Sequence, residues 1–154
     1  MKYQIKEVEV RMCLKEKGSL YSEKPLSTQK DVVQLMQKEF YDLDREVVFA
    51  INMDNKLHPI NFNVVSVGGI NSSIFSTQNV FKSALLSNAS GLIIIHNHPS
   101  GDTTPSREDI HATNKLVEAG KILGIKVFDH LIIGNSSNKN HYFSFLEELH
   151  DLMA

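Results

Sequence analysis

Gly91 to Ile95 is an unbroken apolar run, Gly-Leu-Ile-Ile-Ile, and it ends directly on His96-Asn97-His98-Pro99. The run is far too short to cross a bilayer, which takes about 20 apolar residues. A strand this uniformly apolar does not alternate, so both of its faces must be covered, as in the middle of a sheet packed under helices. The chain therefore needs other strands beside this one, and it delivers two histidines to one end of the sheet.

The rest of the chain supplies those elements. Val8, Val10, Met12 and Leu14 alternate with mostly charged residues, the period of a half-buried strand. A turn-rich stretch from Lys17 to Leu26 follows, and Ser27 or Thr28 then opens a helix with Val32, Leu35, Met36 and Phe40 on one face. Glu46 to Met53 reads as a strand ending at the turn pair Asp54-Asn55. Leu57 to Val67 is the returning strand, where Pro59 points to an edge or a bulge. Gly68-Gly69 breaks it, and a helix from about Thr77 to Ser87 turns Val80, Phe81, Ala84 and Leu85 inward. After the apolar run come a polar loop, a helix from Ser106 to about Leu123 closed by Gly124, and a strand from Ile125 to Ile133. A polar turn over Gly134 to Asn140, a short strand and a last helix complete the chain. Strands alternating with helices, with one hairpin among them, imply an α/β fold: a mixed sheet with helices packed on it.

With 154 residues there is room for one domain, and 42% hydrophobic against 22% charged residues is an ordinary globular composition. Residues 1–26 read as an N-terminal strand and turn segment and residues 27–154 as the domain proper, the whole forming a single unit. Sixteen basic against 18 acidic residues leave a net charge of -2, so strong duplex DNA binding is not expected. The only cysteine, Cys13, excludes an intrachain disulfide and a thiolate zinc cluster, and it reads as a small buried apolar residue. The N-terminus lacks the apolar core of a signal peptide, and the chain reads as soluble and cytoplasmic, with no membrane partner.

His96 and His98 stand two apart at a strand end, so their side chains share one face while Asn97 points the other way. Pro99, Gly101 and Pro105 bend the chain back, bringing Asp109 into the first turn of the next helix. Two neutral imidazoles and one carboxylate suit zinc, and three protein ligands leave a fourth position for water, the mark of a catalytic site. Taken locally, however, Ser106-Arg107-Glu108-Asp109 is also a capping box, in which Ser106 and Asp109 satisfy each other's backbone amides. That duty leaves Ser106 open to chemistry, whereas Asp109 can hardly do both well. Glu46, at the start of a strand, sits where a carboxylate is ordinarily solvent-exposed.

The full pattern is more specific than its parts. His96-x-His98, seven residues, Ser106, two residues, Asp109 is similar to the motif of the JAMM (MPN-type) metalloproteases. The wording His96-Asn97-His98-Pro99-Ser100-Gly101-Asp102, with Pro105-Ser106-Arg107-Glu108-Asp109, resembles the bacterial RadC family within that group. Ser66 to Ser73 upstream and Asp129-His130-Leu131-Ile132-Ile133-Gly134 downstream agree, so the likeness runs from about Ser27 past Gly134. It implies the JAMM/MPN (cytidine-deaminase-like) α-β-α sandwich. It also implies Zn2+ held by His96, His98 and Asp109, an oxyanion donor in Ser106, and a catalytic glutamate in Glu46 rather than Glu39 or Glu108. The activity it implies is zinc-dependent hydrolysis of a peptide or isopeptide amide bond by metal-activated water. Longer RadC relatives carry an N-terminal segment resembling helix-hairpin-helix motifs, and this chain reads as a short form without it.

Smaller expectations attach to other residues. Ser100 and Asp102 shape the loop over the metal or serve only as turn residues. Asp129 and His130 orient a ligand or merely start a strand. Asn71, Ser72 and Ser73 contact substrate or cap a helix. His58, His111, His141 and His150 show no ligand spacing and read as surface residues. An amidohydrolase would need a barrel of about 250 residues. A zinc deaminase would need a Cys-x-x-Cys that this chain lacks. The partner expected is a peptide or protein substrate. The competing reading is a DNA-repair or recombination accessory protein, with a structural or regulatory metal and an indirect link to repair proteins.

Overall fold

The apolar run becomes the central strand of a five-stranded mixed sheet. In the computed structural model, which describes residues 13–15, 17–18, 20, 22, 24–40, 43–68, 76–134 and 141–154, the sheet comprises β1 (Val47–Met53), β2 (Pro59–Val67), β3 (Gly91–His98), β4 (Lys126–Gly134) and β5 (Tyr142–Ser144) in the order β2-β1-β3-β4-β5. β3 runs antiparallel to β1 and parallel to β4, while β1–β2 and β4–β5 are antiparallel pairs. Every residue of β1, and every residue of β3 before His98, is buried.

Helices cover both faces. Helix α1 (Gln29–Met36) and the 3₁₀ turn Gln37–Phe40 place Val32, Val33, Met36 and Phe40 against Phe49, Ile51, Ile93, Ile95, Leu131 and Ile133. On the opposite face, α2 (Thr77–Leu86) and α3 (Arg107–Leu123) set Val80, Phe81, Ala84, Leu116 and Val117 against Val48, Ala50, Leu92, Ile94 and Ile132. Two short helices, α4 (Phe145–Glu148) and α5 (His150–Met153), close that layer through Phe145 and Met153. Odd and even residues of β1 and β3 thus serve different cores, as the two-residue period of a strand requires. The result is an α/β sandwich with helices on both sides of a mixed sheet.

Most boundaries follow the sequence signals. Thr28 caps α1 in a capping box with Asp31, and Gly124, at φ 68°, closes α3 in the left-handed conformation that glycine adopts without a Cβ clash. Pro59 opens the edge strand β2 beside an irregularity in its pairing with β1, so the edge and the bulge coincide. Three expectations are corrected. Leu85 is 52% exposed, because the buried arc of α2 is turned toward Ser83. The Ser83 hydroxyl accepts from Asn52 Nδ2 at 3.0 Å and donates to Asn63 Oδ1 at 2.6 Å, a polar seam between α2 and the sheet. Cys13 is exposed rather than buried. The chain ends in two short helices rather than one. Of the N-terminal strand expected around Val8 to Leu14, Val8, Val10 and Met12 lie outside the described residues, as do Asn71, Ser72 and Ser73. Among the described residues no helix is long and apolar enough to cross a membrane.

Candidate metal centre

β3 carries its last residues past the apolar core, and there its side chains become polar. His96 and Asn97 are both buried, and His98 keeps 17% of its side chain exposed. The face of β3 that feeds Leu92 and Ile94 into the α3 side continues as His96. Beyond His98 the chain turns, with Gly101 N donating to His98 O at 2.9 Å and Gly101 at φ 84°. The loop then delivers Ser106 as the N-cap of α3. One face of α3 buries Asp109, Thr113, Leu116, Val117 and Gly120, so a single stripe passes from polar groups at its start to core at its end.

His96, His98 and Asp109 converge at this junction, each offering a ligand atom within 4.8 Å of the others. His96 Nε2 lies 3.1 Å from His98 Nε2 and 3.4 Å from Asp109 Oδ1, and His98 Nε2 lies 3.6 Å from Asp109 Oδ2. Ligands held at roughly 2.0–2.2 Å in a tetrahedron are about 3.3–3.6 Å apart, so the spacings from His96 Nε2 to His98 Nε2 and to Asp109 Oδ1 are close to those of groups sharing one metal ion. The carboxylate is divided between two tasks. Oδ2 accepts from Ser106 N at 2.7 Å and from Ser106 Oγ at 2.6 Å, completing the capping box, while Oδ1 is buried without a hydrogen-bond partner. A buried carboxylate oxygen with no donor is costly unless a cation faces it. Asp109 therefore caps α3 and still presents a ligand atom, which removes the conflict that the sequence posed.

Glu46 stands just before β1, with 28% of its side chain exposed. Its Oε1 is buried, unpartnered and 3.9 Å from His96 Nε2. Of the three buried side-chain oxygens without partners among the described residues, two thus face this cluster, and the third is Asn52 Oδ1. Asn97, pointing to the far side of β3, grips the chain on both sides of Glu46. Its Oδ1 accepts from Val47 N at 2.8 Å and its Nδ2 donates to Arg45 O at 3.0 Å. The ladder between β1 and β3 begins only at Val48–His96, so this amide continues the pairing with a side chain.

The surrounding groups set the charges. Burial pushes His96 down to about 4, partly opposed by the Asp109 charge. The neighbouring Asp109 carboxylate raises His98 against its own burial, helped by the Asp102 carbonyl. Burial acts to raise Asp109, but the adjacent His98 and His96 rings and the hydrogen bonds from Ser106 outweigh it, holding the carboxyl well below the usual range. Glu46 is raised, first by burial and then by the Asp109 charge.

The neighbouring candidates divide. His98 Nδ1 donates to Asp102 O at 2.7 Å, and Asp102 Oδ1 accepts from Thr104 N at 2.9 Å, so Asp102 both shapes its turn and orients the His98 ring. Ser100 Oγ accepts from Asp102 N at 3.3 Å. His130 Nε2 lies 2.8 Å from His96 Nδ1, behind the cluster. Asp129 points to the other face, accepting from Ser144 Oγ at 2.7 Å, Leu146 N at 3.0 Å and Gln29 Nε2 at 3.3 Å, which ties α1 to α4. His58, His111, His141 and His150 are exposed. Sequence reasoning passed over Thr113, which meets His130 Nδ1 at 2.6 Å. Its signal was its place four residues after Asp109, on the same helical face.

Comparison with known proteins agrees with this geometry. The profile of the RadC-like JAB domain family matches residues 26–150. A UPF0758 protein of Caldanaerobacter subterraneus subsp. tengcongensis is 43% identical over 141 residues, covering 88% of this chain and 58% of that protein. A UPF0758 protein of Methanosarcina mazei is 46% identical over 110 residues, covering 71% and 48%, and one of Desulforamulus reducens is 41% identical over 138 residues, covering 86% and 60%. The chain spans about half the length of the curated relatives it matches.

Proposed function

The chain belongs to the family of RadC-like JAB domains, and on that premise we propose that it is a zinc-dependent hydrolase of the JAMM type, cleaving a peptide or isopeptide amide bond in a protein or peptide substrate. The observation that carries this reading is the convergence of two imidazole nitrogens and an unpartnered buried carboxylate oxygen, with the equally unpartnered Oε1 of Glu46 beside them. His96, His98 and Asp109 are the residues that would hold the ion. Bound there, zinc supplies a Lewis acid that brings the pKa of water from about 15.7 toward roughly 7 and polarises a carbonyl.

The remaining work belongs to the side chains. Glu46, its pKa raised by burial, accepts the proton of the attacking water at Oε1 and hands it to the departing amine nitrogen. Ser106 Oγ donates to the carbonyl oxygen as negative charge develops, releasing its hydrogen bond to Asp109 Oδ2, and a donor of this kind is worth about 3 kcal/mol. Asn97 keeps Glu46 in place through the backbone on either side.

Metal content by mass spectrometry tests the proposal, on wild-type protein beside His98→Ala and Asp109→Asn. About one zinc per chain, lost in both variants, is the expected result. Wild-type protein that takes up no metal after zinc is added refutes it. Glu46→Gln is expected to keep its zinc while turnover of an amide substrate falls by about 10²- to 10⁴-fold. Loss of zinc along with turnover would make Glu46 a ligand or a structural residue instead.

A further inference from the structure

Behind the ligand triangle runs a chain of buried polar groups that links the two elements carrying the ligands. Thr113 Oγ1 lies 2.6 Å from the Asp109 carbonyl oxygen and 2.6 Å from His130 Nδ1, and His130 Nε2 lies 2.8 Å from His96 Nδ1. All three side chains are fully buried, so water does not stand in for any of these contacts. The direction of each hydrogen bond follows from chemistry. A carbonyl oxygen only accepts, so the one hydroxyl proton of Thr113 goes to Asp109 O. The hydroxyl then has only lone pairs left for His130, which must carry its proton on Nδ1. Burial disfavours a second proton on that ring, so Nε2 of His130 is an acceptor and His96 donates to it from Nδ1.

The consequence falls on the metal face. With its proton on Nδ1, neutral His96 presents a lone pair at Nε2, 3.1 Å from His98 Nε2. His98 already donates from Nδ1 to Asp102 O, so its Nε2 is also the ligand side. Two imidazole lone pairs at that separation require a cation against them. The ring of His130 is held in plane by stacking on Phe145, with centroids 4.7 Å apart and planes within 6°.

We infer that Thr113 and His130 are positioning residues that lock His96 in the Nδ1–H tautomer, with its Nε2 lone pair aimed at the metal. The lock originates in the backbone carbonyl of Asp109, itself a ligand residue. The proton pattern of β3 is therefore set by α3 through β4, and the site reaches its binding state only when those three elements are docked. The inference rests on the metal-site reading above and concerns how that site is prepared.

Tautomers are read directly by long-range 1H–15N spectra of 15N-labelled metal-free protein, recorded near pH ~8, where an ordinary histidine is neutral. His96 and His130 are both expected as Nδ1–H tautomers in the wild type. Competition with a chromophoric zinc chelator supplies the second readout. Thr113→Val, which keeps the shape and removes the hydroxyl, is expected to weaken zinc binding by about 10- to 100-fold, and Thr113→Ser, which keeps the hydroxyl, to stay within about threefold of wild type. A wild-type His96 carrying its proton on Nε2, or a Thr113→Val protein binding zinc as tightly as wild type, overturns the inference. Should Thr113→Val fail to fold, the wild-type spectra and Thr113→Ser still decide. Wild-type protein that binds no zinc but shows both Nδ1–H tautomers sinks the hydrolase reading and leaves the lock standing. Zinc binding without those tautomers does the reverse.

Discussion

Asp109 illustrates how two duties fit on one side chain: its two oxygens face different ways, one toward the Ser106 amide and hydroxyl, the other toward His96. Substitutions separate these duties. Asp109→Asn keeps an acceptor for the cap and removes the anionic ligand, so zinc is expected to be lost with little change in the stability of the metal-free protein. Ser106→Ala removes the cap itself and should lower stability by about 1 kcal/mol in urea melts. It should also weaken zinc binding, because Asp109 Oδ2 then keeps only the Ser106 amide as a donor. The reverse ranking would mean that the capping box and the ligand set are independent. His96 makes a second, pH-dependent statement. Its folded value of about 4 lies below the ordinary histidine value of about 6.5, so the unfolded chain takes up a proton that the native protein refuses. The stability of metal-free protein is therefore whole above about pH 6.5 and falls as pH drops toward 4, by up to about 3 kcal/mol. His98, whose value is raised, works in the opposite sense and offsets part of the loss. Urea melts across that range, in wild type and in a His96→Gln variant that lacks the titrating ring, check the sign.

At the scale of elements, β3 is the organising piece, because its two faces serve different purposes beyond Ile95. One face presents His96 to α3, while Asn97 on the other reaches across to the chain entering β1. Asn97→Ala leaves the Val47 amide and the Arg45 carbonyl without this partner, and unmade hydrogen bonds at a buried amide cost about 1–3 kcal/mol. Since the clamp brackets Glu46 and touches no ligand, zinc content is expected to stay at wild-type level while turnover falls, by about 10²-fold if the carboxylate shifts by an ångström. Parallel zinc analysis and turnover measurements check this split. Unchanged turnover would show that Glu46 is placed by its own environment.

For the molecule as a whole, the proposed ligands come from a strand and a helix separated by a loop, so a metal held by them would require the sandwich to be assembled. An ion that binds only the folded state stabilises it by about 4 kcal/mol at a thousandfold excess over its Kd. Zinc is therefore expected to raise Tm of the wild type in a thermal scan, a chelator to reverse the rise, and Asp109→Asn to respond to neither. A rise of equal size in Asp109→Asn would place the ion elsewhere on the protein.

Much of this was legible in the chain itself, because it depends on local rules. The apolar run ending in His96 identified the central strand, the run from Glu46 to the turn pair Asp54-Asn55 located β1, apolar faces located α1 and α2, and Thr28, Ser106 and Gly124 marked helix ends by their own backbone chemistry. The ligand spacing was local too: His96 and His98 share a strand face, and Asp109 follows a short loop. Some features belong to the fold alone. That Leu85 is exposed while Ser83 is buried depends on where Asn52 and Asn63 lie across the sheet. The freedom of Asp109 Oδ1 to face His96 depends on how α3 docks against β3. Thr113 and His130 are 17 residues apart and meet only because β4 lies parallel to β3 with α3 above both. Local pattern reports on a residue's own backbone and near neighbours, whereas hydrogen-bond direction across a buried site depends on distant groups that only folding brings within 3 Å.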